Sequence, residues 1–205
     1  MKTTQETSLQ NIIKNSLENS MSYQDYRTLV KDLVEKESTT SKEKTEALAN
    51  YTMLNDRRMK RWDKTIKTDE TVKENVSNLN INQTWLVLTE SWCGDAAHVM
   101  PVINKVAELN TNIDFKVVLR DENLDLMNQF LTNGGQSIPK LIMIDNNTNK
   151  VINTFGPRPI EATQLVNDYK TKHGKLTPEF KEDLQSWYNK NKGQNVIEDL
   201  VGLLN

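Results

Sequence analysis

Over the first eighty residues the apolar positions recur at intervals of three and four, the spacing of one helical face, and after Asn82 they gather into short continuous runs. Leu9, Ile12, Ile13 and Leu17 predict a short helix over residues 7 to 19. Ser22 is placed to cap a firmer helix reaching about residue 37, with Tyr23, Tyr26, Leu29, Val30, Leu33 and Val34 on one stripe. The polar run from Ser38 to Ser41 reads as a turn. A long helix is expected over residues 42 to 67, with Ala47, Tyr51, Leu54, Arg58, Trp62 and Ile66 along one side, and Thr68 opens another through Leu79.

The run from Trp85 to Thr89 has the length and character of a strand buried on both faces. A helix over residues 95 to 109 follows, with Val99, Val102, Val106 and Leu109 inward and Pro101 expected to bend it. Residues 113 to 119 read as a strand and 123 to 131 as a helix. Leu141 to Ile144 and Val151 to Phe155 flank a polar turn and give a hairpin signal. A helix over 160 to 172 closes a β-α-β-α-β-β-α order. After Pro178 the pattern is helical again, with Phe180, Leu184 and Trp187 aligned, then Val196, Ile197, Leu200 and Leu203.

A chain of 205 residues, 36% hydrophobic and 26% charged, has the composition of an ordinary soluble protein long enough to bury a core. The formal net charge of −2 offers no global attraction to nucleic acid or to an anionic membrane, so neither is expected as a partner. The cluster Arg57-Arg58-Met59-Lys60-Arg61-Trp62-Asp63-Lys64 mixes bases with an aromatic, but its acids dilute it and a solvated helix face is the expected reading. The start of the chain lacks a signal-type apolar core and no stretch is apolar enough to cross a membrane, which leads to the expectation of a cytoplasmic protein. One cysteine fits a reducing compartment. With two histidines, His98 and His173, beside it, no metal-ligand spacing exists, and neither metal nor other cofactor is expected.

That cysteine, Cys93, lies between a strand-like run and a helix-like segment in the string Glu90-Ser91-Trp92-Cys93-Gly94-Asp95-Ala96. A thiol at the mouth of a helix meets unpaired backbone N–H groups and the positive end of the helix dipole, both of which favour thiolate. Asp95, a nearby carboxylate, opposes it or caps the helix, and the sequence leaves the balance open. With no second cysteine no internal disulfide forms, so any redox cycle borrows a sulfur from a protein partner, a low-molecular-weight thiol or a second copy. His98 falls about 140° around a helix from Cys93, toward expected solvent.

The string resembles the thioredoxin superfamily at the place where its members carry Trp-Cys-Gly-Pro-Cys. Trp92, Cys93 and Gly94 match; Asp95 replaces the proline and Ala96 the resolving cysteine, leaving a monothiol site similar to a variant subfamily common in bacteria whose motif is Trp-Cys-Gly-Asp. Pro101 coincides with the family's helix-kinking proline, and Gly134-Gly135-Gln136-Ser137-Ile138-Pro139-Lys140-Leu141 resembles its loop ending in a cis-proline. Phe155-Gly156-Pro157-Arg158-Pro159 resembles its glycine turn after the last strand. Where the family has a buried proton-relay carboxylate this chain has Val87, and Glu90 or Asp95 acting through water is the available substitute.

The resemblance implies an α/β thioredoxin-like fold, a central mixed sheet with flanking helices, over residues 81–173, with an all-helical extension over 1–80 and C-terminal helices over 174–205. It implies Cys93 as nucleophile, Pro139 facing it, Ile138 offering backbone groups to a docked chain, and Trp92, Gly94 and Asp95 around the groove. Arg158, held between two prolines, is expected either to hold an anion or partner carboxylate near that groove or to pair with a local acid. Two functions are expected in turn: monothiol thiol–disulfide exchange resolved by an external thiol, and a non-catalytic module that docks extended peptides in the Cys93/Pro139 groove. A sulfenic-acid peroxidase is disfavoured because the Thr-x-x-Cys surroundings of that class are absent. Oligomeric state is not legible.

Overall fold

The computed structural model describes residues 2–204, with side chains from residue 8 onward. Four helices come first: α1 (Lys2–Glu18), α2 (Tyr23–Glu35), α3 (Glu46–Thr65) and α4 (Glu70–Ser77), with a two-residue strand β1 (Met21–Ser22) before α2. Then follow β2 (Gln83–Thr89), α5 (Gly94–Ala107), β3 (Ile113–Leu119), a 3-10 turn (Arg120–Glu122), α6 (Leu124–Met127), β4 (Lys140–Asp145) and β5 (Lys150–Phe155). Helices α7 (Ile160–His173), α8 (Pro178–Asn191) and α9 (Gln194–Gly202) complete the described chain. Among the described residues, no helix is long and apolar enough to cross a membrane.

The strands form one mixed sheet in the order β1-β3-β2-β4-β5. β2 and β3 are parallel, pairing Val87 with Val117, while β4 runs antiparallel to both β2 and β5. All seven residues of β2 are buried, as a central strand covered on both faces requires. β5 alternates, with Lys150, Ile152 and Thr154 exposed, as an edge strand does. This is the α/β thioredoxin-like architecture expected from the sequence.

Side-chain caps explain four of the helix starts. Ser22 Oγ accepts from the Asp25 amide while Asp25 Oδ2 accepts from the Ser22 amide, a complete capping box. Thr45 caps α3, so residues 42 to 44 stay outside the helix, and Thr177 caps α8 ahead of Pro178. α4 is capped by Asp69, not Thr68. The expected helix over 123 to 131 shrinks to one turn, α6.

Two stripes differ from their expected phase. On α3 the buried positions are Thr52, Asn55, Met59 and Trp62, whereas Tyr51 and Leu54 lie on the exposed side. The inner face of α3 is partly polar because it abuts the backbone of the Cys93 loop, so an apolar stripe misplaces it. On α8 the buried pair is Leu184 and Tyr188 in place of Leu184 and Trp187. α5, in contact with α3 on one side and α9 on another, is buried nearly all round.

Candidate functional site

β2 delivers the chain to the short loop Glu90–Cys93, and Cys93 becomes the N-cap of α5 without a side-chain capping bond. From there Cys93 Sγ donates a hydrogen bond to the carbonyl oxygen of Ile138 at 3.2 Å. The Ile138–Pro139 peptide bond is cis, and so is Gly156–Pro157. Gly156 has φ of 107°, and a Cβ there would stand 2.2 Å from the Pro139 carbonyl oxygen, so only glycine lets the end of β5 pass this loop. Cys93, Ile138, Pro139 and Gly156 therefore come together from positions far apart in the sequence.

The thiol is not exposed or primed for ionisation. Cys93 is 8% exposed, and burial followed by the Asp95 charge pushes its thiol up to about 12. The amides of Ala96 and Asp95 and the Arg158 cation act in the other direction and lose. The helix mouth thus supplies the expected stabilisation, but desolvation outweighs it.

Asp95 does not cap the helix. Its Oδ2 lies 2.6 Å from Arg158 Nη2 and its Oδ1 accepts from the Tyr188 hydroxyl at 3.1 Å. Arg158 thereby takes the local-acid pairing of its two expected roles. Burial raises the Asp95 carboxyl above the usual carboxylate range even against this cation and hydroxyl. Tyr188 belongs to α8, so a C-terminal helix reaches the carboxylate beside the thiol.

His98 is buried at 2% exposure, contrary to the expectation of a solvent-facing ring. Trp62 of α3 and Gln185 of α8 bond its two ring nitrogens at 2.9 and 2.6 Å, and Tyr188 stacks on it at 4.5 Å. On a helix with one free side a ring 140° from Cys93 meets solvent, but here α3 and α8 cover that side of α5.

The Cys93 loop is held by residues that sequence reasoning passed over. Ser91 Oγ shares hydrogen bonds with Thr39 and Thr52 and accepts from the Thr40 amide, while Asn55 Nδ2 donates to the Ser91 carbonyl at 2.9 Å. Glu90 is wholly buried; it accepts from the Thr40 hydroxyl and from the Asp121 amide, and burial raises its carboxyl. Glu90 is thus committed to a clasp with the α2–α3 connection. The only cue was a polar run that reads equally well as an exposed turn.

Trp92 lies under the Arg120 guanidinium at 5.0 Å, and Arg120 reaches the Gln136 carbonyl at 3.4 Å. Gly94 faces Arg58, which is itself fixed by Asn55. The residues 57 to 64 do not make one basic face: Arg58 turns inward, and Asp63 pairs with Arg27. Val87 is fully buried and apolar. Beside the Pro139 loop a cavity of about 380 Å³ is bordered by Lys140, Phe155, Gly156, Arg158 and Ile160. Among the described residues no cluster of histidine, cysteine and carboxylate side chains could hold a metal ion.

Among solved structures, a protein of unknown function from Pseudomonas aeruginosa is similar in fold, with a TM-score of 0.56 and 15% identity over 74% of this chain and 84% of that one. An HIV epitope-scaffold is likewise similar, with a TM-score of 0.54 and 16% identity over 90% of this chain and 98% of the other. No curated protein sequence matches the chain. A family model described as thioredoxin matches residues 41–170, reaching upstream of the sheet to take in α3 and α4. With that match spanning most of the sequence and the sheet order and Cys93 loop described above, the chain belongs to the thioredoxin family.

Proposed function

We propose that this protein carries out thiol–disulfide exchange through Cys93 alone, with an external thiol completing the cycle. The observation that carries the reading is the seat of the sulfur: at the mouth of α5, 3.2 Å from the Ile138 carbonyl, where an extended chain docked along the Pro139 loop brings its own sulfur. Cys93 attacks one sulfur of a substrate disulfide, forming a mixed disulfide and expelling the other sulfur as thiolate. The thiol proton passes through water to the departing sulfur. An external thiol then attacks the mixed disulfide and returns Cys93 to the thiol.

The resting state in this reading is a protonated, sheltered thiol that reacts on docking. The test is incubation with a low-molecular-weight disulfide followed by intact-mass measurement. A single adduct at Cys93 that an added thiol removes is expected. A chain that stays unmodified at neutral pH while the urea-unfolded chain reacts fully overturns the reading.

A second reading, a groove that binds extended peptides without redox chemistry, is favoured by the thiol pushed up to about 12. The cavity of about 380 Å³ beside Gly156 and Arg158 gives such a peptide a side-chain pocket. Under it, Cys93→Ser retains peptide affinity; under exchange, the covalent adduct disappears.

A further inference from the structure

Away from the thiol, the end of α3, the end of α8 and the start of α9 line a second cavity, open to solvent, of about 380 Å³. Its volume lies within the range of small-molecule sites, about 300–1,000 Å³. Its charged lining residues are Arg61, Lys67 and Lys192, with no carboxylate among the lining side chains. Among the described residues none of these three forms an ion pair within 4 Å, although the whole chain carries a net charge of −2.

Arg61 is held through its side chain, and Lys67 and Lys192 through their backbone. Arg61 lies 5.3 Å over the buried Trp62 ring and donates to Asn189 Oδ1, so its guanidinium is stacked and tethered. Gln194 Nε2 bonds the Lys67 carbonyl at 3.4 Å, tying the segment after α3 to the first residue of α9. Lys192 has a φ of 55°, a left-handed position at the end of α8 where glycine or asparagine is the ordinary occupant. A lysine there places a charge at the cost of a small backbone strain. The first turn of α9 begins at the same place, and there Asn191 Oδ1 accepts from the Asn195 amide at 3.1 Å.

We propose that this cavity binds a small phosphorylated ligand, its phosphate oxygens held by Arg61, Lys67 and Lys192. Arginine and lysine around one compact anion is the donor set that phosphate requires. The proposal is independent of the chemistry assigned to Cys93.

The test is calorimetric titration of the full chain with inorganic pyrophosphate at about 0.15 M salt. Saturable binding is expected, weakened about tenfold in Lys67→Gln and in Lys192→Asn, each of which removes one charge-assisted contact. Asparagine suits the left-handed backbone at 192, so that variant keeps its fold, and Lys31→Gln on α2, outside the cavity lining, leaves binding unchanged. Absence of saturable binding, equal affinity in all variants, or tighter capture of a single-stranded RNA than of pyrophosphate through the same lysines would each overturn the proposal.

Discussion

The indole Nε1 of Trp62 donates to His98 Nδ1 at 2.9 Å, and this bond decides the tautomer: Nε2 carries the ring proton and donates to Gln185 Oε1 at 2.6 Å. Indole has no acceptor to offer, so a protonated imidazolium would face it donor to donor. Burial lowers the His98 pKa from 6.5 to about 4, and the Arg58 and Arg61 charges add to it.

Acid sensitivity follows from that neutral ring. Below pH 6.5 the unfolded chain takes up a proton that the folded chain refuses, so stability present above 6.5 is lost as the pH falls toward about 4. The slope from this one group approaches about 1.4 kcal/mol per pH unit. Urea denaturation at pH 7 and pH 4.5 should show the loss in the parent chain and a smaller one in His98→Gln. Equal losses in both would contradict the assignment.

At alkaline pH the buried thiol acts with the opposite sign. Its folded pKa is raised from 9.0 to about 12, so its contribution is complete below 9 and declines until about 12. The parent chain should therefore lose stability faster than Cys93→Ala between pH 9 and pH 11, by about 1.4 kcal/mol per pH unit. Comparison of the two chains cancels the tyrosines and lysines that titrate in the same window.

Two substitutions around the thiol should move its reactivity in opposite directions. Asp95 raises the Cys93 pKa and Arg158 lowers it. Alkylation rate against pH should shift to lower pH in Asp95→Asn and to higher pH in Arg158→Gln, each by about one unit. Shifts of the same sign in both variants would mean that altered burial, not charge, dominates.

Gly156→Ala meets the Pro139 carbonyl oxygen at 2.2 Å and a φ of 107°, neither of which a side-chain rotation relieves. A loss of about 2–5 kcal/mol is expected from chemical denaturation. Gly193→Ala shares the left-handed backbone, at φ of 80°, but its nearest neighbour is the Val102 Cγ2 methyl at 2.8 Å, side chain in place of a backbone carbonyl, and it should cost less. Similar losses at the two sites would remove the distinction between a backbone and a side-chain neighbour.

The sheet was readable because β2 to β5 carry the periods of buried and edge strands, and Ser22 marked the start of α2 as a cap residue. The motif placed Cys93 beside Ile138 and Pro139. Burial was not readable. Whether His98, Asp95 and Cys93 meet water depends on α3 and α8 folding back over α5, through Trp62, Tyr188 and Gln185, and no local pattern encodes that. Thr39, Thr40, Thr52 and Asn55 were missed for a related reason: polar residues that satisfy a buried loop look, in sequence, like polar residues that face solvent.

The smallest strand carries a consequence for how copies of this molecule behave when crowded. β1 offers only Met21 and Ser22 to the outer rim of β3, and the chain turns at once into α2. Next to that pairing, Asp114 and Lys116 form an ion pair at 3.2 Å. A neighbouring molecule seeking to continue the ladder finds an edge only two residues long, then charged side chains it would have to dehydrate. Templated strand-on-strand growth is stopped at this rim by two residues and a salt bridge.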